Sequence, residues 1–145
     1  MRVRRALSAV VGVLLLTAAG CGPERIVLSG LADGRYEVVL SDRRVYGYVA
    51  YMVLEVRGGR IAAVEYDERN PRTGRSKTGD EAQNREMMRL SGREWGEVVE
   101  DLEGLVLGAG SELSLDAVSG ATRTSEAFRE ALLRALEEAR GGASE

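Results

Sequence analysis

The pair Gly58-Gly59 separates two stretches rich in β-branched, aromatic and other apolar residues, Val45 to Arg57 and Arg60 to Tyr66. No other feature restricts the fold of this chain as much. Two adjacent glycines supply the two positive φ angles of a tight hairpin whose twist matches that of its strands. The pattern therefore predicts a strand, a two-residue turn and a returning antiparallel strand. The stretch from Val45 carries Tyr46, Tyr48, Val49, Tyr51, Met52, Val53, Leu54 and Val56, apolar on both faces, which suits a central strand. Asp33-Gly34 marks an earlier turn. Arg35 to Ser41 follows it as another strand, with Tyr36, Val38 and Leu40 alternating with Arg35, Glu37 and Val39.

Beyond Tyr66 the pattern changes. Asp67 to Gly79 is polar, contains Pro71, and reads as an exposed loop. Asp80 is placed to cap a helix from Glu81 to Leu90, with Met87, Met88 and Leu90 on its later turns, and Ser91-Gly92 breaks it. Arg93 to Leu107 reads as a second helix, with Trp95, Val98, Val99, Leu102 and Leu105 or Val106 at helical spacing. Gly108-Ala109-Gly110 is a loop and Leu113-Ser114-Leu115 a short extended piece. Thr124 or Ser125 is expected to cap a last helix whose stripe is Phe128, Ala131, Leu132, Ala135, Leu136 and Ala139. Glu126 sits in its first turn, Glu130 and Arg134 pair on its outer side, and Gly141-Gly142 ends it. Strands first and helices afterwards predict an α+β domain: a small antiparallel sheet, a meander with the GG hairpin, packed against helices.

The first 20 residues have a different character. Arg2, Arg4 and Arg5 precede an uncharged, almost wholly apolar run from Ala6 to Ala19. About 20 residues are needed to cross a bilayer as a helix, so this shorter run reads as a secretory signal peptide. It ends Leu16-Thr17-Ala18-Ala19-Gly20-Cys21, which resembles the lipobox of bacterial lipoproteins, although Ala18 stands where that pattern prefers Leu. The resemblance implies that residues 1–20 are removed and that Cys21 receives a diacylglycerol. Gly22 to Leu31 is then expected as a tether, and residues 32–142 as the domain it carries. Two acyl chains hold a protein stably on a membrane.

Composition narrows the chemistry. The net charge is −3, and loss of the first 20 residues leaves 17 basic against 23 acidic residues. An acidic domain without a basic stripe does not suit nucleic acid. There is no histidine, and Cys21 is the only cysteine. Ser-His-Asp and Cys-His nucleophile systems, zinc sites built on Cys and His, histidine-held haem and cysteine-held clusters are all excluded. An internal disulfide is excluded as well. No catalytic or metal-ligating set is visible, so a redox role requires an organic cofactor.

One segment is suited to hold such a group. Residues 116 to 125 read Asp-Ala-Val-Ser-Gly-Ala-Thr-Arg-Thr-Ser, small residues and hydroxyls entering a helix. The unpaired N–H groups and positive dipole of a helix start favour a phosphate there. On spacing alone, a capped helix behind a plain turn is the simpler account of the same residues.

The stretch Asp116-Ala117-Val118-Ser119-Gly120-Ala121-Thr122 resembles the D-x-x-[ST]-G-A-T signature of the FMN-binding domain. That domain occurs in flavin-carrying subunits of the sodium-pumping NADH:quinone reductase and its Rnf relatives. Asp33-Gly34-Arg35-Tyr36, the Gly58-Gly59 hairpin, Ala63-Val64-Glu65-Tyr66-Asp67, and Ser76-Lys77 with Asp80, Asn84 and Met87 extend the likeness over roughly residues 32 to 140. The arrangement is similar to the small FMN-binding lipoproteins of extracellular electron transfer. The resemblance implies a covalent FMN, attached by a flavin transferase as a phosphoester on Thr122. Asp116, Ser119, Gly120, Ala121 and Thr124 surround the attachment, with Thr124 the better fit to a helix cap. Lys77 and Asn84 are candidates for the phosphate or ribityl chain. Tyr36, Tyr51 and Trp95 are candidates for the wall of the flavin ring. Gln83 stands beside Asn84 where an aromatic is expected.

The function so implied is electron transfer on the extracytoplasmic face of a membrane, between a quinol or protein donor and an external acceptor. An electron carrier suits this chain better than a stand-alone enzyme. A surface-binding or structural lipoprotein that keeps the fold without redox activity, or a subunit of a membrane reductase complex, are the alternatives.

Overall fold

A computed structural model describes residues 25–115 and 122–141, the side chain of residue 43 excepted. The elements run β1 (Arg25–Val27), β2 (Gly34–Val45), β3 (Tyr48–Arg57), β4 (Arg60–Arg69), α1 (Glu81–Ser91), α2 (Trp95–Gly108), β5 (Glu112–Ser114) and α3 (Thr122–Gly141). Strands β2, β3 and β4 form an antiparallel meander in that order, and β1 pairs with β5 in a separate two-stranded ribbon. This is the expected α+β architecture.

The GG hairpin joins β3 to β4, with φ of 60° at Gly58 and 70° at Gly59. Asp33 Oδ1 accepts the Gly59 N–H at 2.8 Å, so the Asp33-Gly34 turn and the hairpin brace each other. The other hairpin departs from expectation. The long strand foreseen from Val45 begins at Tyr48, because Tyr46 and Gly47 form the turn from β2, with φ of 52° and 88°. Strand β2 accordingly runs on past Ser41. Between Val39 and Arg44 its register against β3 shifts, and the extra residues reverse the alternation so that Val45 points into the core.

One face of the meander is apolar. Val38, Leu40, Ala50, Met52, Leu54, Val64 and Tyr66 are buried there. Helix α3 packs on β2 and β3, and α2 packs on β4. The opposite face is solvated and carries the pairs Arg35–Glu55 and Arg69–Asp67. Tyr66 ties sheet to helices, edge-on to Phe128 with centroids 5.1 Å apart and tilted to Trp95 at 6.3 Å. Its N–H donates to Glu103 Oε1 of α2 at 2.7 Å, and burial raises the Glu103 carboxyl above the ordinary range.

Three boundaries change the reading of the sequence. The segment expected as a tether enters the fold at Arg25: Ile26 pairs with Leu113, and Ile26, Leu28 and Leu31 are buried. The Arg140 guanidinium holds the Val27 carbonyl, and the Ala32 N–H donates to Ala139 O at 2.9 Å. Strand β4 reaches Arg69, into the stretch expected as loop. Helix α3 starts by Thr122, so Thr124 and Ser125 are buried residues of its first turn rather than its cap.

Candidate functional site

A cleft of about 960 Å³ opens at the end of the sheet away from the GG hairpin. Its first wall is the β2–β3 turn, with Arg44, Val45 and Tyr46. The first turn of α3 supplies Thr122, Arg123, Thr124 and Glu126. Helix α1 supplies Gln83, Glu86, Met87 and Leu90 from the opposite side, with Trp95 and Lys77 completing the lining. The mixture of aromatic, thioether and aliphatic surface with a few polar groups is that of a small-molecule site.

Each wall has a local cause. Tyr46 is 67 % exposed and is the one described non-glycine residue at positive φ. Left-handed backbone is unfavourable for an aromatic residue, and such conformations concentrate at functional sites. Thr122 is exposed at the rim, on a helix fixed by the buried stripe below it. Helix α1 is set in place by Asp80, whose Oδ1 accepts the N–H groups of Ala82 at 3.1 Å and Gln83 at 3.2 Å. Asp80 Oδ2 accepts the Tyr48 hydroxyl at 2.5 Å. Burial first, and then this bond, push the Tyr48 hydroxyl up to about 12, while the same bond holds the Asp80 carboxyl below its ordinary range.

Positive groups gather along the cleft. Arg123 Cζ lies 5.3 Å from the Tyr46 ring centroid, and Lys77 Nζ lies 5.2 Å from the Trp95 ring. The start of α3 adds its dipole. Glu86 faces the same space but is paired with Arg89 at 2.7 Å, which holds its carboxyl below the usual range.

The sequence candidates divide. Thr122, Lys77, Thr124 and Trp95 line one cleft. Thr124 is buried and its Oγ1 accepts the Trp95 Nε1–H at 3.4 Å, so its hydroxyl braces the cleft floor. Asn84 faces a smaller depression behind α1, with Glu81, Arg85, Met88 and Glu94. There its Nδ2 donates to Thr78 O at 2.7 Å, and its buried Oδ1 has no partner among the described residues. Tyr36 donates to Ala32 O at 2.9 Å, and Tyr51 lies under the Arg69 guanidinium at 4.2 Å, so neither lines the cleft. Asp116, Ser119, Gly120, Ala121 and Cys21 lie outside the described residues.

Sequence reasoning missed Tyr46, which supplies an exposed aromatic on the wall opposite Gln83. The available signal was Gly47, a turn residue directly after an aromatic inside an apolar run. It also missed Glu68, an acid at an inward-facing position of β4.

Among the described residues no helix is long and apolar enough to cross a membrane, and no group of three His, Cys, Asp or Glu is placed to hold a metal. A family model for the FMN-binding domain matches residues 46–137. The chain is similar to the 15 kDa lipoprotein of Treponema pallidum, 29% identical over 117 residues, which cover 81% of this chain and 82% of that protein. It is also similar to the CPE2226 protein of Clostridium perfringens in its crystal structure. There the identity is 31% and the TM-score 0.69, over 79% of this chain and 93% of that one.

Proposed function

From the premise that the chain belongs to the FMN-binding domain family, we propose that it is a membrane-anchored flavoprotein, with FMN joined covalently to Thr122, that carries electrons outside the cytoplasm. The observation that carries this reading is the position of Thr122: the last residue of the signature is exposed on the rim of a large aromatic-walled cleft.

The cleft suits the group. Its volume, about 960 Å³, accommodates a tricyclic ring with its ribityl chain. Tyr46, Trp95, Met87 and Leu90 offer apolar and aromatic surface to the ring. Arg123, Arg44 and the start of α3 offer positive charge to the phosphate. FMN, once bound, accepts and releases electrons singly or in pairs. Covalent attachment prevents its loss by dilution outside the cell.

Attachment requires an external flavin transferase acting with FAD. The Thr122 oxygen bonds to the phosphorus of the FMN half, the bridging P–O bond breaks, AMP leaves and the hydroxyl proton passes to base. The chain's part is to present the hydroxyl at a helix start, where neighbouring N–H groups and Arg123 stabilise the phosphate charge.

The anchor is proposed to be a lipid on Cys21 after removal of residues 1–20. The similarity to a protein named as a lipoprotein supports it, as does the lipobox-like sequence. Residues 22–24 alone lie between Cys21 and β1, which keeps the domain beside the membrane. A quinol or a membrane flavoprotein is then the natural donor, and the acceptor lies outside.

The test is to express the domain from Gly22 with an exported flavin transferase, then measure intact mass and in-gel fluorescence after denaturation. A mass increase of FMN minus one water on the peptide holding Thr122, absent in Thr122→Ala, is the expected result. An unmodified chain beside a working control substrate would leave a binding lipoprotein instead. Palmitate incorporation that persists in Cys21→Ser would overturn the anchor.

A further inference from the structure

A buried ion pair backs the cleft wall at Lys77, and the binding role of the walls does not require it. Glu68 stands on the core face of β4 with its side chain 0% exposed, and Lys77, from the loop that follows, is 7% exposed. Lys77 Nζ donates to Glu68 Oε2 at 2.6 Å, and the Tyr66 hydroxyl donates to Oε1 at 3.0 Å. The Lys77 amide also donates to the Glu68 carbonyl at 2.8 Å, so backbone and side chain fix the lysine together. Withdrawing two charges from water is costly, and well-packed apolar residues often serve stability equally well. Stability alone therefore does not account for the pair.

What distinguishes it is where the ammonium lies. An ammonium carries three donors, and among the described residues Nζ meets one oxygen. Around it lie the rings of Trp95 at 5.2 Å and of Tyr46 and Tyr48 at 5.6 Å each. Lys77 lines the cleft together with Tyr46 and Trp95. Glu68 does not line it and lies behind.

We propose that Lys77, held by Glu68, is a charge-setting residue for the flavin: a fixed cation on the cleft wall that favours the reduced ring. This rests on the FMN reading above. Reduction brings electrons from an external donor onto the ring, with protons from solvent, and any negative charge they add is stabilised by a cation in a poorly solvated wall. Glu68 holds the ammonium in place through its 2.6 Å bond and partly offsets its field. The two residues therefore act on the reduction potential with opposite signs, the lysine more strongly because it is nearer the cleft.

The experiment uses the flavinylated protein, with attachment verified by mass. Midpoint potentials are measured by dithionite titration with mediators at mildly acidic pH, alongside the thermal unfolding of each variant. Glu68→Gln, which keeps the Tyr66 bond and strips the offsetting charge, is expected to raise the potential. The double variant Lys77→Met with Glu68→Gln, which removes the cation without stranding the carboxylate, is expected to lower it below wild type. Lys77→Arg keeps the charge and is expected to stay near wild type. A loosened fold would shift Glu68→Gln and the double variant the same way; that result, or no shift in either, overturns the proposal. A wild-type chain that takes up no flavin overturns the FMN reading itself, and this proposal with it.

Discussion

Helices α1 and α3 face each other across the same cleft and are attached in opposite ways. Helix α3 buries nine residues, among them Phe128, Ala131, Leu132, Ala135 and Leu136, and packs on β2 and β3. Helix α1 buries none: Met87 is partly covered, while Met88 and Leu90 are exposed. It is held by polar contacts at its start, the Asp80 cap, the Tyr48 hydroxyl on Asp80 and the Asn84 amide on the Thr78 carbonyl. Buried apolar contact opens only with the whole domain, whereas a helix held mainly by hydrogen bonds at one end opens locally at lower cost. On the proposed function, a covalent cofactor would stand on the fixed wall, with Thr122, and the wall with α1 would be the one to yield to a ring or a partner.

The contrast is easiest to break at Phe128. Its ring is fully buried against Tyr66. Phe128→Ala is expected to cost about 3–5 kcal/mol in chemical denaturation. A loss below about 1 kcal/mol would place α3 among superficial helices.

A second, local effect is expected from pH. Asp80 has a folded value below its ordinary one, so its contribution is present above about pH 4 and is lost as pH falls through the folded value. Tyr48 has a folded value raised to about 12, so its contribution is present below the ordinary value and is lost as pH rises through about 12. Amide exchange in α1 should quicken at both extremes before α3 responds. In an absorbance titration, the Tyr48 hydroxyl should ionise late. Asp80→Asn should bring that ionisation down, without restoring it fully because burial is the larger cause. An unmoved late tyrosine, with α1 exchange unaltered, would show that this contact does not hold the helix.

The smallest effect on stability is expected at Leu90, on the cleft side of α1. Leu90 is 68 % exposed, and Leu90→Ser should change global stability by no more than about 0.5 kcal/mol. A core-sized loss would mean that α1 is as firmly docked as α3.

Much of this arrangement was legible in the sequence. The stripe Phe128 to Ala139 and the positions Trp95, Val98, Val99 and Leu102 are all buried, and of Leu105 and Val106 it is Val106 that faces inward. Asp80 caps α1 as its residue type suggests. Other features were hidden. The Tyr46-Gly47 turn lay inside an apolar run that reads as uninterrupted strand, because burial in a sheet and exposure beside a cleft draw on the same aromatic residues. The pairing of Ile26 with Leu113 joins segments 87 residues apart, which no local pattern announces. Thr124 resembles a cap by type, but the helix begins ahead of it and Trp95 takes its hydroxyl.

By itself the sequence determined the order of the elements, the GG hairpin, the apolar faces of α2 and α3 and the signature ending at Thr122. These follow from backbone sterics and side-chain periodicity, which act within a few residues. The tertiary structure alone decided that Tyr46 walls the cleft while Tyr36 and Tyr51 do not, that Asn84 lies behind α1, and that Lys77 reaches the cleft with Glu68 behind it. Those outcomes depend on which surfaces meet when distant segments pack, and on the low dielectric their packing creates around a charge.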